Sequence, residues 1–259
     1  MVGMILWTPP ESGKRQKRVA VEEKIVLHMR FACVKIVRGP RTPEAVVRRR
    51  VLSAAKRLRK LGVSSVVLPE GFPYGGQLAK YGVRPTSTLA LRQALAAELT
   101  RAAMTSHGLG GGSAKVAVIG ERLTGELVRT VTELSLRNRY ILLDLAYGGE
   151  ELCRSLRREY GVSLLATPSM EQLEEADVLV MFAPRRELSR KNPIVLILYE
   201  GEEQSLPPLT LPPTLEEKLP VGCSRPQLLA ALQEAGVLRT GQITVGTLGC
   251  DRIPSEKAE

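Results

Sequence analysis

The run Lys115-Val116-Ala117-Val118-Ile119-Gly120-Glu121-Arg122-Leu123-Thr124-Gly125 carries a short, wholly apolar segment into a turn with glycine at both ends. Consecutive Val, Ala and Ile without polar alternation suit a strand buried on both faces, which needs a covering layer on each side. The period then switches to that of a helix over 125–137. The alternation repeats as a strand at 140–145, a helix at 150–160 closed by Gly161, a strand at 162–166, a short helix at 170–176, and strands at 177–182 and 193–199. Strands separated by helices of roughly 10–15 residues imply parallel crossovers. The expected fold class is therefore α/β: a three-layer, doubly wound, mostly parallel sheet, with an N-terminal α/β elaboration and a small C-terminal extension.

Working outward, residues 24–38 alternate Ile25, Leu27, Met29, Phe31 and Cys33 with polar His28 and Arg30, which is the period of a strand. Ile25, Met29, Ala32 and Ile36 also fit a helix, so the second half is the firmer strand. Val47, Val51, Ala54, Leu58 and Leu61 form one stripe of a helix over 43–61, which Gly62 is placed to end. A buried strand at 64–68, a loop at 69–76, a helix at 88–106 and a glycine-rich joint at 108–113 follow. Past Glu200, Pro207, Pro208, Pro212, Pro213 and Pro220 mark an extended connector. A helix at 225–235, with Ser224 as N-cap and Gly236 beyond its end, and an edge strand at 242–245 precede a polar tail. The expected organisation is a basic tail at 1–23, an N-terminal α/β segment at 24–112, a core at 113–201, and connector, helix and tail at 202–259.

Composition places the chain among globular proteins, with 44% hydrophobic and 25% charged residues. Aromatics make up only 4%, so Val, Leu, Ile and Ala must build the core. Met4-Ile5-Leu6-Trp7 is shorter than the roughly 7–15 apolar residues of a secretory signal, and nothing approaches the ~20 of a membrane span. A cytoplasmic protein with no membrane partner is expected. Cys33, Cys153, Cys223 and Cys250 lie far apart, and only His28 and His107 could join them. Without paired ligand spacing, no metal site is expected, and the thiols should be reduced.

Val116 to Gly120, the helix after it, and Ile141-Leu142-Leu143-Asp144 resemble the opening βαβ unit of the NAD(P)-binding Rossmann superfamily. Met170-Glu171-Gln172-Leu173-Glu174-Glu175-Ala176-Asp177-Val178-Leu179-Val180 is similar to its later helix, which often ends in Ala-Asp before the strand beneath the cofactor. The resemblance spans 115–183. It implies a phosphate loop at Gly120, Arg122 and Gly125, and a ribose-binding carboxylate at Asp144, 24 residues after Gly120. In that loop the first glycine makes the turn, the second lets backbone approach the pyrophosphate, and the third lets helix pack on strand. Arg122 stands where the second is needed. Glu121 and Glu126, and then Glu150 and Glu151, occupy helix N-termini that would otherwise attract an anion. Gly120 and Gly125 are therefore expected to serve folding, and no cofactor is expected. The alternative is NAD(P) with Arg122 reaching the phosphate. Gly120 and Gly125 also have P-loop spacing, but Glu126-Leu127 replaces the required Lys-Ser/Thr.

Strand carboxyl ends select a ligand crevice of Glu70, Tyr74, Tyr147, Arg185 and Arg186, together with Arg122 and Asp144. These loops contain no histidine or cysteine, so they form no recognisable catalytic set, and no G-x-S-x-G elbow or His-Glu metal helix exists. His107, beside Gly108 at a helix end, suits capping. Residues 1–60 hold 16 Lys or Arg against 4 Asp or Glu, a balance of +12, while the other residues balance to −2. An anionic partner, nucleic acid or acidic protein, would meet Lys14, Arg15, Lys17, Arg18, Arg48, Arg49, Lys56, Arg57 and Lys60. Scarce aromatics argue against a base-stacking platform. Three readings follow: a non-catalytic or weakly ligand-binding Rossmann-like protein, an NAD(P)-dependent oxidoreductase with a divergent loop, and an anionic-partner binder.

Overall fold

A computed structural model of the protein describes residues 1–10, 17–202 and 204–247. It divides into two units: Met1–Leu91 with Leu211–Ile243, and Arg92–Thr210 with the described residues 244–247. The first unit contains β1 (Val2–Thr8), β2 (Val19–Val26), β3 (Met29–Val37), α1 (Glu44–Lys60), β4 (Ser65–Val67), α2 (Gly75–Ala79) and β5 (Arg84–Pro85). Its sheet runs β2-β3-β1-β4-β5, with β2 antiparallel to β3 and the other pairs parallel. The N-terminal strands thus form a sheet of their own.

Two expectations are corrected here. Residues 1–23 are not simply a tail: β1 is the central strand, with Met4 and Ile5 fully buried, and β2 begins at Val19. Burial on both faces needs only a short apolar run, so a segment too short for a membrane serves well as a central strand. Lys14 and Arg15 lie outside the described residues. The stretch 24–38 is a hairpin, turning at Leu27 and His28, whose φ values are +45° and +72°. Neither residue carries the Asn-Gly signature of such a turn, so alternation alone hid the break.

Val47, Val51, Ala54, Ala55 and Leu58 of α1 pack on Ile5, Val34, Ile36 and Val66. Leu61 is no part of that stripe; it is 47% exposed, and Gly62 (φ +73°) turns the chain beyond it. Cys33 and Cys223 are buried, which pushes both thiols up from the ordinary value. Both should therefore resist iodoacetamide in the native protein and react once urea unfolds it. Peptide mass spectrometry checks this, and prompt native labelling at either position contradicts it.

The boundary between the units falls within α3 (Leu89–Ala94), which is separated by Leu95 from α4 (Ala96–Ser106) where one helix was expected. The second unit continues as β6 (Lys115–Gly120), α5 (Gly125–Ser135), β7 (Tyr140–Leu145), α6 (Gly149–Tyr160), β8 (Leu165–Ala166), α7 (Met170–Glu174), β9 (Val178–Met181), β10 (Ile194–Ile197) and β11 (Leu209–Thr210). The chain then returns to the first unit as α8 (Pro213–Glu216) and α9 (Arg225–Glu234). Finally, β12 (Thr244–Val245) pairs antiparallel with β11. Ser224 holds the N-cap position of α9 without a side-chain cap; its N–H instead donates to Leu68 O at 2.6 Å. The polar tail from 248 lies outside the described residues.

The larger sheet of this unit is wholly parallel, in the order β10-β9-β6-β7-β8. One face of β6 (Val116, Val118) packs with α4, α5 and α6 through Met104, Leu127, Val131, Leu152 and Leu156. The other (Ala117, Ile119) packs with Leu173 of α7, Leu188 and Tyr199. The α/β class with helices on both faces is as the apolar runs implied. Asn192 pins the loop before β10, donating from Nδ2 to Leu173 O and Ala176 O at 2.9 and 2.7 Å. Among the described residues, no helix is long and apolar enough to cross a membrane.

Candidate functional site

The chain leaves β6 in opposite directions on its two sides: β7 and β8 follow on one, and α7 leads across to β9 and β10 on the other. The carboxyl ends of β6, β7 and β9 therefore frame the switch point where open α/β sheets take ligands. Gly120 ends β6. A Cβ there would lie 2.5 Å from Leu127 Cδ1 and 2.8 Å from Leu145 Cδ2, so close packing of helix and strand requires glycine. Gly125 is different, because its Cβ would meet nothing within 4 Å. The expectation that Gly125 serves helix packing is thereby corrected. The helix begins late, at Gly125 itself, so there is no close approach to relieve. Thr124 caps it, its Oγ1 accepting from Leu127 N–H at 3.2 Å. Arg122 lies exposed in the preceding loop, outside the helix.

Asp144 stands one residue before the end of β7, in register with Ile119. Arg185 lies beyond the end of β9, on the other side of β6. Their side chains meet: Arg185 Nε donates to Asp144 Oδ2 at 2.8 Å, and Nη2 donates to Oδ1 at 2.7 Å and Oδ2 at 2.6 Å. Since β6 lies between the two strands, the pair bridges two strand spacings, about 9–10 Å, past the end of β6. Asp144 is only 9% exposed at its side chain and Arg185 42%. Both Asp144 oxygens accept from Arg185. Gly148 (φ +81°) has its own partner, since a Cβ there would meet Leu123 Cδ1 at 2.6 Å. Tyr147, 74% exposed, and Arg186 project into solvent.

Past β10 lies a group that sequence reasoning missed. Arg190 Nη1 donates to Glu202 Oε1 and Oε2 at 2.8 and 3.0 Å, and Tyr199 OH donates to Glu202 Oε1 at 3.0 Å. Hydrogen bonds from Arg190 and then Tyr199 hold the Glu202 carboxyl below its ordinary value, while burial and then Glu202 push the Tyr199 phenol up. These residues satisfy one another. No local pattern in the sequence pairs them.

Glu70 and Tyr74, expected in the same crevice, follow β4 in the sheet of the first unit. Glu70 is exposed, and Tyr74 is 2% exposed with its OH donating to Glu44 Oε2 at 3.3 Å. Tyr74 belongs instead to an aromatic group that the sequence did not single out. Trp7 stacks on Phe72 (centroids 5.5 Å apart, 26° between planes), Tyr74 meets both edge-on, and the Arg38 guanidinium lies 5.1 Å from the centre of the Trp7 ring.

Of the basic residues, Lys17 and Arg18 are exposed beside the end of β3, where Val37 N–H donates to Arg18 O. Arg48 pairs with Glu44, Arg57 donates to Val19 O at 2.8 Å, and Lys56 lies over Tyr81. Arg49 and Lys60 are exposed. His107 occupies the C-cap of α4, with Nδ1 3.0 Å from Ala103 O. Among the described residues, no group of three or more His, Cys, Asp or Glu could hold a metal ion.

The parallel order of five strands about β6, the glycine that ends it and the helices on both faces define a Rossmann-like α/β unit. No family model matches the chain, and no curated protein matches it. Among solved structures, L-tryptophan dehydrogenase from Nostoc punctiforme is similar at 15% identity, over 65% of this chain and 52% of that one, with a TM-score of 0.32. D-lactate dehydrogenase with NAD+ from Lactobacillus jensenii is similar at 14% identity, over 59% and 56%, with a TM-score of 0.27. Aspartate transcarbamoylase from Trypanosoma cruzi is similar at 12% identity, over 70% and 61%, with a TM-score of 0.25. The chain spans about half the length of the two dehydrogenases. The resemblance is one of fold alone, and the assignment rests on strand order and register.

Proposed function

We propose that the second unit is a non-catalytic Rossmann-like module, structural or at most weakly ligand-binding, whose dinucleotide crevice is closed by the protein's own side chains. The observation that carries this reading is the bidentate Asp144–Arg185 pair, which engages both oxygens of the carboxylate that a ribose would need. The residues present do not fit a dinucleotide in the usual mode. Arg122 replaces the glycine beside the pyrophosphate, Thr124 already caps α5, and Glu126 neutralises the positive end of that helix.

Calorimetric titration with NADH and NADPH tests the proposal. The wild-type protein should give no saturable heat at millimolar cofactor, and neither should Arg122→Gly while Arg185 still holds Asp144. Micromolar binding by the wild type that weakens on Asp144→Ala overturns it. That outcome favours the second reading, an NAD(P)-dependent oxidoreductase, whose support is the acidic residue near the end of β7.

A further inference from the structure

The first sheet has a switch point of its own. Its parallel strands lie in the order β3-β1-β4-β5, so the chain leaves β1 toward one edge and β4 toward the other. The crevice rule therefore selects the carboxyl ends of β1 and β4. Those ends carry Trp7 and the Phe72–Tyr74 turn. Trp7 and Phe72 remain partly exposed, although the apolar core beside them is closed. Arg38, exposed just past β3, lies over the Trp7 ring. Among the described residues, no carboxylate pairs with its guanidinium.

Further basic residues lie on the segments that enter and leave this end of the sheet. Lys17 and Arg18 are tied to the end of β3 by the Val37–Arg18 backbone bond, so they flank Arg38. Arg41 lies exposed in the loop that leads into α1. Glu44 is the one acidic residue of α1, and Arg48 pairs with it. We infer that this edge of the first unit is a binding site for single-stranded nucleic acid. A base stacks on the exposed Arg38 plane, which Trp7 and Phe72 support from within. The phosphates on either side of that base run along Lys17, Arg18 and Arg41.

The chemistry selects this partner over the other anions. Stacked guanidinium keeps its in-plane N–H groups for phosphate while its face takes a base. Single strands are held by that combination of cationic groove and π surface. A duplex hides its base faces, and a run of carboxylates offers no flat ring to stack on the guanidinium. Although aromatics are few in the composition, tertiary structure collects three of them at the basic end. The inference concerns the first unit alone and is independent of the closed crevice in the second.

Trp7 is the only tryptophan in the chain, so intrinsic fluorescence reports this one site. The full-length protein would be titrated with a 12-nucleotide single-stranded RNA, the same sequence as single-stranded DNA and as duplex, and polyglutamate. Either single strand should change Trp7 emission saturably, with RNA and DNA differing only in affinity. The affinity should fall with salt with a log–log slope between about −2 and −4 for three to five phosphates. Arg38→Ala, at an exposed position, should weaken binding at least about tenfold by anisotropy of a labelled oligonucleotide, whereas Lys115→Ala in the other unit should not. The inference is overturned if Trp7 emission stays constant, if duplex or polyglutamate matches the single strands, or if Arg38→Ala binds like the wild type.

Discussion

Arg185→Ala should destabilise the second unit by roughly 2 kcal/mol. Removing one partner of a fully buried ion pair costs about 3–5 kcal/mol, because a charge is left without compensation. Asp144 meets that description at 9% exposure, but Arg185 is 42% exposed, so solvent screens part of the attraction and the expected loss is smaller. The bidentate geometry keeps it well above the value of an ordinary surface pair. Trp7 reports on the other unit, so the readout is hydrogen exchange at the amides of β6, β7 and β9, which the pair ties together across the end of β6. Asp144→Asn with Arg185→Met should lose less than the sum of the two single changes, with a coupling of about 1–2 kcal/mol. Unchanged exchange protection in Arg185→Ala would mean that the contact carries no weight, and the closed crevice would lose its main support.

Gly120→Ala should cost about 1–3 kcal/mol, as overpacking of a filled core does, while Gly125→Ala should change stability by less than about 0.5 kcal/mol. The two glycines look equivalent in the sequence. At Gly120 the added methyl would lie 2.5 Å from Leu127 Cδ1 and 2.8 Å from Leu145 Cδ2. Both leucines are buried, at 0% and 6% exposure, so neither can turn aside without opening a void elsewhere. At Gly125 the methyl enters open space at the first position of α5, where alanine is at least as good a helix former. Thermal unfolding of the two variants, with exchange in β6 as the local readout, separates them. Equal effects would contradict the packing described for the end of β6.

How much of this was legible depends on the distance over which each feature is decided. The core strands β6, β7 and β9 and the helices between them follow from the sequence, because runs such as Val116 to Ile119 and caps such as Gly161 act over a few residues. The His107 cap is equally local. The hairpin at Leu27 and His28 was not legible, since its positive φ values are imposed by the pairing of β2 with β3 and not by turn-forming residues. Nor was β1, whose apolar run is short and stands beside a basic stretch that suggests a tail.

The candidate sites lay almost wholly beyond the sequence. Spacing to Gly120 marks Asp144 in the sequence, yet its partner is 41 residues away. The two meet only because β9 and β7 flank β6. Glu70, Tyr74 and Arg185 all follow strands, but strand order places the first two on a different sheet from the third. Composition made aromatics scarce, whereas folding brought Trp7, Phe72 and Tyr74 into contact. The sequence by itself determined where strands and helices form and where the chain carries its charge, because propensity, period and capping depend on near neighbours. Tertiary structure alone decided which carboxylate meets which guanidinium and which rings stack, because those contacts follow from the order in which distant strands pair.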